Sequence, residues 1–238
     1  NEINRRGFIK RLGGGLIIAV TVSNFPLHAG QMGSAAPKPG VNAYLRIGED
    51  GRVTAYTGKI DMGQGTITSL PMMLAEELDV RLDSIDMVMG DTMLCPWDSG
   101  TMGSRSTKYY GPPLRKAGAE ARAILMQMAA EQLNVPPDHL EVKNGVVSNK
   151  KNAENRVTYA ELVKGKQIDR QISAVPIKSV SEHTVSGKST MRRDARLKVT
   201  GQAKYTCDIL LPGMLHAKVL RPPSHDATLA SVDVSRAK

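Results

Sequence analysis

Of 238 residues only two are cysteine, one is tryptophan and two are phenylalanine, and the aromatic share is 4%. Cys95 and Cys207 lie far apart without ligand spacing, so by themselves they can build neither a zinc site nor an iron–sulfur site. Buried free thiols are the expected state, and a disulfide is permitted only in an oxidising compartment. The five histidines form no cluster. A net charge of +9 invites a nucleic-acid reading, but the Lys and Arg are scattered and too few aromatic rings exist to stack bases. No repeat, no low-complexity tract and no apolar run long enough to span a bilayer is present. With 41% hydrophobic residues, the chain can fill one large or two small globular domains.

The N-terminus accounts for part of the charge. Asn4-Arg5-Arg6-Gly7-Phe8-Ile9-Lys10 nearly matches the twin-arginine export signal, and an apolar stretch over residues 12–22 follows it. Ala29 offers a small residue for a signal peptidase, so residues 1–29 are expected to be a leader, with a basic surface helix as the alternative. Residues 30–40 are expected to be a flexible linker. Twin-arginine cargo crosses folded, which suits a protein that takes up a bulky cofactor before export to the periplasm.

Further along, alternation over residues 41–47, the turn Glu49-Asp50-Gly51 and residues 53–57 predict a β-hairpin. Ile67, Leu70, Leu74 and Leu78 predict a helix from Thr66 to about Val80, with Pro71 in its first turn. Residues 85–89 predict a short strand and residues 90–107 a long loop of the kind that is usually functional. A second helix from Pro112-Pro113 has Leu114, Ala117, Ala121, Leu125 and Met128 inward and ends before Pro136. A hairpin turning at Asn144-Gly145, an exposed loop over residues 149–155 and a helix capped by Thr158 and Glu161 come next. From Ser186 the texture changes to strand-like segments at residues 192–208 and 211–223, which predicts a second domain. The fold class is α+β.

Two glycine-rich loops carry the chemistry. Gly63-Gln64-Gly65 lets the backbone approach a ligand closely, and the helix that follows favours an anion at its N-terminus. It lacks the third glycine of a dinucleotide fingerprint and the Lys-Ser/Thr of a phosphate loop, and alone it also fits an ordinary tight turn. Residues 100–107, Gly-Thr-Met-Gly-Ser-Arg-Ser-Thr, add two glycines and four hydroxyl groups. Glu76 and Glu77 read as a solvated or salt-bridged pair. Trp97 flanks a substrate funnel or packs over the long loop. Residues 192–198 read as a solvated connector or a subunit-docking segment.

Taken in order and spacing, with Ala75-Glu76-Glu77-Leu78 and Gly90-Asp91-Thr92 between them, the loops resemble those that bind the pterin of molybdenum hydroxylases, the xanthine dehydrogenase and aldehyde oxidase superfamily. Residues 194–208 and 212–223 resemble the opening of that family's α/β hammerhead domain. The hammerhead follows the Gly-Gln-Gly region here, as in the large subunits of isoquinoline 1-oxidoreductase and the related periplasmic aldehyde dehydrogenases. The resemblance implies a molybdopterin-binding domain over residues 41–185 and the start of a hammerhead over 186–238. It places Gly63, Gln64 and Gly65 along the dithiolene and pterin phosphate, Gly103, Ser104, Ser106 and Thr107 on the pterin, and Met102 with Gly103 nearest the metal. It also implies a cytosine dinucleotide form of the cofactor, a small partner subunit carrying two [2Fe–2S] clusters, and a cytochrome c subunit as a further partner. The reaction implied is hydroxylation of an aldehyde or N-heterocycle with water as oxygen source. The family's glutamate in a Gly-x-Gly-Glu motif does not occur in these 238 residues, so no catalytic or metal-ligating residue is assigned, and the fragment alone is expected to be inactive. The alternatives are a non-catalytic exported scaffold and a nucleic-acid binder whose basic residues gather on one face.

Overall fold

The computed structural model describes residues 15–21, 41–95, 98, 100–168 and 175–236. The twin-arginine motif, residues 27–29, the linker and Trp97 lie outside them. The chain divides into two compact units, residues 1–195 and 196–238.

The first unit is α+β. A five-stranded mixed sheet has the order β4(Ile85–Met89), β3(Val53–Thr57), β2(Val41–Ile47), β1(Gly15–Thr21) and β8(Gln167–Ile168). The expected hairpin is β2 and β3, antiparallel from Ala43 opposite Thr57 to Ile47 opposite Val53. Gly51 turns it at a φ of 76°. β4 then runs parallel to β3, because the helix α1(Thr66–Leu78) carries the chain back along the sheet. Leu70, Leu74 and Leu78 of α1 and Leu114, Ala117, Ala121, Leu125 and Met128 of α2(Gly111–Leu133) share one core with Leu45, Ile47, Val53, Ala55 and Ile85 of the sheet. Gly118 permits the two helices to touch, since a Cβ there would lie 2.9 Å from that of Glu77.

Pro71 and residues 149–155 depart from expectation, and residues 15–21 take up a strand for which no expectation was stated. Pro71 lies in the second turn of α1, because the helix begins at Thr66; its ring therefore removes the bond that residue 71 would make to the Ile67 carbonyl. Residues 15–21, inside the run expected to be a leader, form β1, which pairs antiparallel with β2 and parallel with β8. Leu16 and Ile18 enter the core, as an apolar β-branched run does when a sheet edge is open to it. The polar loop expected over residues 149–155 is mostly the strand β7(Asn152–Thr158), which completes an antiparallel meander with β5(Leu140–Lys143) and β6(Val146–Asn149). One exposed face is enough for a polar strand when the ladder satisfies its backbone. Thr158 then caps α3(Tyr159–Val163) reciprocally with Glu161, as expected.

Glu76 and Glu77 are not solvated. Glu76 accepts the backbone N–H groups of Thr184, Val185 and Ser186 at 2.7–3.1 Å. Burial pushes its carboxyl up, but those N–H groups and Lys178 outweigh it and hold the group below the ordinary glutamate value. Glu77 pairs with Arg115 at 2.6 Å and accepts Lys178 N–H at 3.1 Å. Asp79 takes the Lys178 ammonium and pairs with Arg122 at 2.8 Å. Residues 178–186 are thus belted onto the C-terminal end of α1.

In the second unit the strands expected over residues 192–208 and 211–223 do not form. Its described residues hold only the end of α4(Ala195–Val199) and a turn at Thr206–Asp208. Strands need a partner edge, and among these residues none is present; Leu215 is 93% and Leu220 91% exposed. Cys207 is exposed, against the expectation of a buried thiol, whereas Cys95 is buried and its thiol pushed up by that burial. Among the described residues no helix is long and apolar enough to cross a membrane.

Candidate functional site

The parallel pairing of β3 and β4 decides where the two glycine-rich loops go. Thr57 lies opposite Met89, so the chain leaves β3 toward residues 58–65 and β4 toward residues 90–95 at the same end and the same height. The carboxyl ends of adjacent parallel strands are where α/β units place ligands.

Asp61 organises the first loop. Its carboxylate accepts Gly63 N–H at 2.7 Å and, at the start of α1, Ile67 N–H at 2.9 Å. Burial raises the Asp61 carboxyl, but the N–H groups of Ile67, Gly63 and Gly65 bring it below the ordinary aspartate value. The anion at this helix end is therefore the chain's own carboxylate, where the sequence pattern leaves the site for a ligand. Gly65, at a φ of 86°, lets the backbone turn into the helix. The Gln64 amide folds back, accepting Met62 N–H at 2.6 Å and donating to the Ile60 carbonyl at 3.0 Å. Arg192 donates to the Gly63 carbonyl at 2.8 Å and Arg193 N–H to Thr68 Oγ1 at 3.1 Å, so the expected solvated connector is strapped to the loop at its start.

A buried ion pair ties the second loop to the first. Lys59 Nζ lies 2.7 Å from Asp98 Oδ1, with side-chain exposures of 2% and 5%. The same ammonium donates to the Gly100 carbonyl at 2.7 Å, while Gly100 N–H donates to Asp98 at 2.8 Å. Ile60 N–H donates to Thr101 Oγ1 at 2.9 Å. Lower in the second loop, Asp91 accepts Met93 and Leu94 N–H at 2.8 and 3.0 Å.

The structure gathers the sequence-predicted residues on these converging loops. Gly63, Gln64, Met102, Gly103, Ser104 and Thr107 are exposed and Gly65 is half-buried. Ser106 differs: it is buried at the head of a π-helical turn, Ser106–Tyr110, that leads into α2. Ser104 is held at a φ of 54°, a conformation that a residue with a Cβ seldom adopts. Among the described residues the N–H groups of Met102, Gly103 and Ser104 donate to nothing. No group of three His, Cys, Asp or Glu there could hold a metal ion. Sequence reasoning missed Asp61, Lys59, Asp98, Thr101 and Arg192. Asp61 had a signal, an Asx residue two before a glycine and ahead of a helix. The Lys59–Asp98 pair, 39 residues apart, had none.

The profile of the molybdopterin cofactor-binding domain family matches residues 1–207. One of the subunits of nicotinate dehydrogenase from Pseudomonas putida is 39% identical over 187 residues, covering 77% of this chain and 16% of that protein. The beta subunit of isoquinoline 1-oxidoreductase from Brevundimonas diminuta is 31% identical, covering 93% of this chain and 34% of its own length. Among solved structures, CO dehydrogenase from Oligotropha carboxidovorans is 33% identical over half of this chain and 15% of its own, with a TM-score of 0.46. The chain spans about a sixth to a third of the length of those two curated relatives.

Proposed function

The chain belongs to the molybdopterin cofactor-binding domain family of the molybdenum hydroxylases, and from that premise we propose that it is the N-terminal part of the subunit that holds the cofactor. The observation that carries this reading is the convergence of two exposed loops, pinned together at their base, whose N–H groups at Met102, Gly103 and Ser104 have no partner among the described residues. A pterin with phosphate and dithiolene groups arrives with its own metal, so it asks this chain for hydrogen-bond donors and close backbone approach, and these the loops supply. A Cβ at Gly63 would meet nothing within 4 Å, which leaves open space in front of that turn.

In this reading Gly63, Gln64 and Gly65 border the dithiolene and phosphate, Gly103, Ser104 and Thr107 bind the pterin, and Met102 lies nearest the metal. Ser106, buried, supports the loop from behind. Gln64 reaches the cofactor with the second hydrogen of its amide, the first being held by Ile60. When bound, the cofactor supplies two-electron oxidation with water as the oxygen source, acting on an aldehyde or N-heterocycle. The cytosine dinucleotide form, an iron–sulfur subunit with two [2Fe–2S] clusters and a cytochrome c subunit complete the proposal, and turnover needs the remainder of the subunit. Export to the periplasm by the twin-arginine route belongs to the same reading. Residues 15–21 cannot be threaded as a leader and paired as β1 at the same moment, so export requires β1 to leave the sheet. Replacing Arg5 and Arg6 by Lys should keep a fused reporter in the cytoplasm; a reporter still exported by that pathway removes the leader assignment.

The test of the site uses the full-length subunit. Gln64→Ala and Ser104→Ala should each lower bound molybdenum, read by elemental analysis, without moving the thermal melt, and Gly103→Val should lower it further. Full occupancy and turnover in all three would take these loops out of the cofactor site, and a wild-type subunit without molybdenum would favour the exported scaffold, a reading to which the inward-turned Gln64 and the Asp61-capped helix also conform.

A further inference from the structure

Lys59 and Asp98 are both withdrawn from water, yet they lie at the base of two loops that are otherwise exposed. Burying an ammonium and a carboxylate is unfavourable unless each is fully bonded, and a well-packed apolar pair of similar volume serves stability as well. Stability alone therefore gives little reason for charge here. The bonds show what the charge accomplishes. Gly100 is gripped through both of its backbone groups, its N–H by Asp98 Oδ1 at 2.8 Å and its carbonyl by Lys59 Nζ at 2.7 Å, while one Asp98 oxygen serves both Lys59 and Gly100. Gly100 is held at a φ of 112°, and Thr101 accepts Ile60 N–H at 2.9 Å. Beyond Thr101 the backbone donors of Met102, Gly103 and Ser104 find no partner among the described residues. Order imposed by the first loop thus ends one residue before the free donors begin.

We propose that Lys59 and Asp98 are positioning residues: their buried ion pair fixes the register of the second loop against the first, and so presents the donors of Met102, Gly103 and Ser104 to the cofactor. This rests on the cofactor reading above. The substrate class does not enter, because neither side chain reaches the surface where a substrate would lie.

The discriminating variant is the double replacement Lys59→Met with Asp98→Leu, which removes both charges and leaves neither one buried alone. Amide hydrogen exchange at Ile60 and Gly100 should accelerate about tenfold or more while the amides of β3 keep their protection. In the full-length subunit the double variant should retain its melting temperature and lose most of its molybdenum. Wild-type exchange at Ile60 and Gly100 in a folded double variant overturns the proposal, as does full molybdenum content. If the double variant unfolds and β3 loses protection too, Asp98→Asn decides: it keeps the acceptor and removes the charge, so exchange at Ile60 and Gly100 should rise by about two- to fivefold. Unchanged rates in that variant overturn the proposal as well. The exchange measurement needs no cofactor, so a wild-type subunit without molybdenum sinks the functional reading and leaves this test standing.

Discussion

Both ends of α1 are held by carboxylates, and they differ in what remains unbonded. At the C-terminal end, Glu76, Glu77 and Asp79 take up three backbone N–H groups of residues 184–186 together with Lys178, Arg115 and Arg122. Glu76 and Glu77 are both 1% exposed. At the N-terminal end, Asp61 satisfies the helix while the loops around it stay exposed, with N–H groups to spare at Met102, Gly103 and Ser104. Saturation marks a joint, and surplus donors on an ordered loop mark a place for something else to bind. By this criterion the Glu pair, polar and buried, is architecture.

The largest effect should come from the saturated end. Glu76→Leu takes the acceptor from the N–H groups of exposed Thr184 and half-buried Val185 and Ser186 and should destabilise the chain by about 2–4 kcal/mol in urea unfolding. A loss below about 1 kcal/mol would show that the belt is peripheral and break the comparison.

Next comes Gly118→Val, which drives a branched side chain into Glu77 across the helix contact, where even a Cβ stands at 2.9 Å. We expect a loss of about 1–3 kcal/mol. Wild-type stability would mean that α1 and α2 can separate freely.

Acid should reveal both ends of α1. Glu76 and Asp61 both have carboxyls below their ordinary values in the folded chain. Their stabilisation is therefore fully present above the unfolded carboxylate range and is lost as pH falls through that range toward the folded values. The urea midpoint of the wild type should drop below about pH 4.5, and Glu76→Gln should flatten part of that drop. An identical pH profile for Glu76→Gln would place the acid sensitivity elsewhere.

The smallest effect belongs to the exposed end. Ser104→Gly relieves a positive φ at the expense of backbone freedom, and the two nearly cancel, leaving a gain of about 0–1 kcal/mol. If the hydroxyl holds the pterin, the same change lowers bound molybdenum in the full-length subunit despite the unchanged or improved stability. Stability and occupancy rising together would take Ser104 out of the site.

Much of this architecture was legible in local pattern. The β2–β3 hairpin, the inward stripe of α2 and the Thr158 cap follow from alternation, helical spacing and a capping pair, all within a few residues. The parallel direction of β4 was implicit in the length of α1. The glycine loops were legible as loops, and their meeting place was not, because Lys59 finds Asp98 through tertiary packing. The strand β7 escaped because its residues are polar and its ladder partner, not its composition, makes it a strand. Sequence left Glu76 open between solvated and salt-bridged for a related reason: the three N–H groups that satisfy it come from residues 184–186.

The belt over residues 178–186 also sets a timetable. The ties between the loops close over 41 residues and the Arg115–Glu77 pair over 38, whereas the bonds to Glu76 close over 108–110. A chain synthesised from its N-terminus can bring the loops together while the belt is still unmade. Until residue 186 leaves the ribosome, the acidic end of α1 stays near water, held by its arginines alone. Cooperative closure of the core then waits on a segment that contributes nothing to the loops, so the loop end of α1 is shaped early and made permanent late.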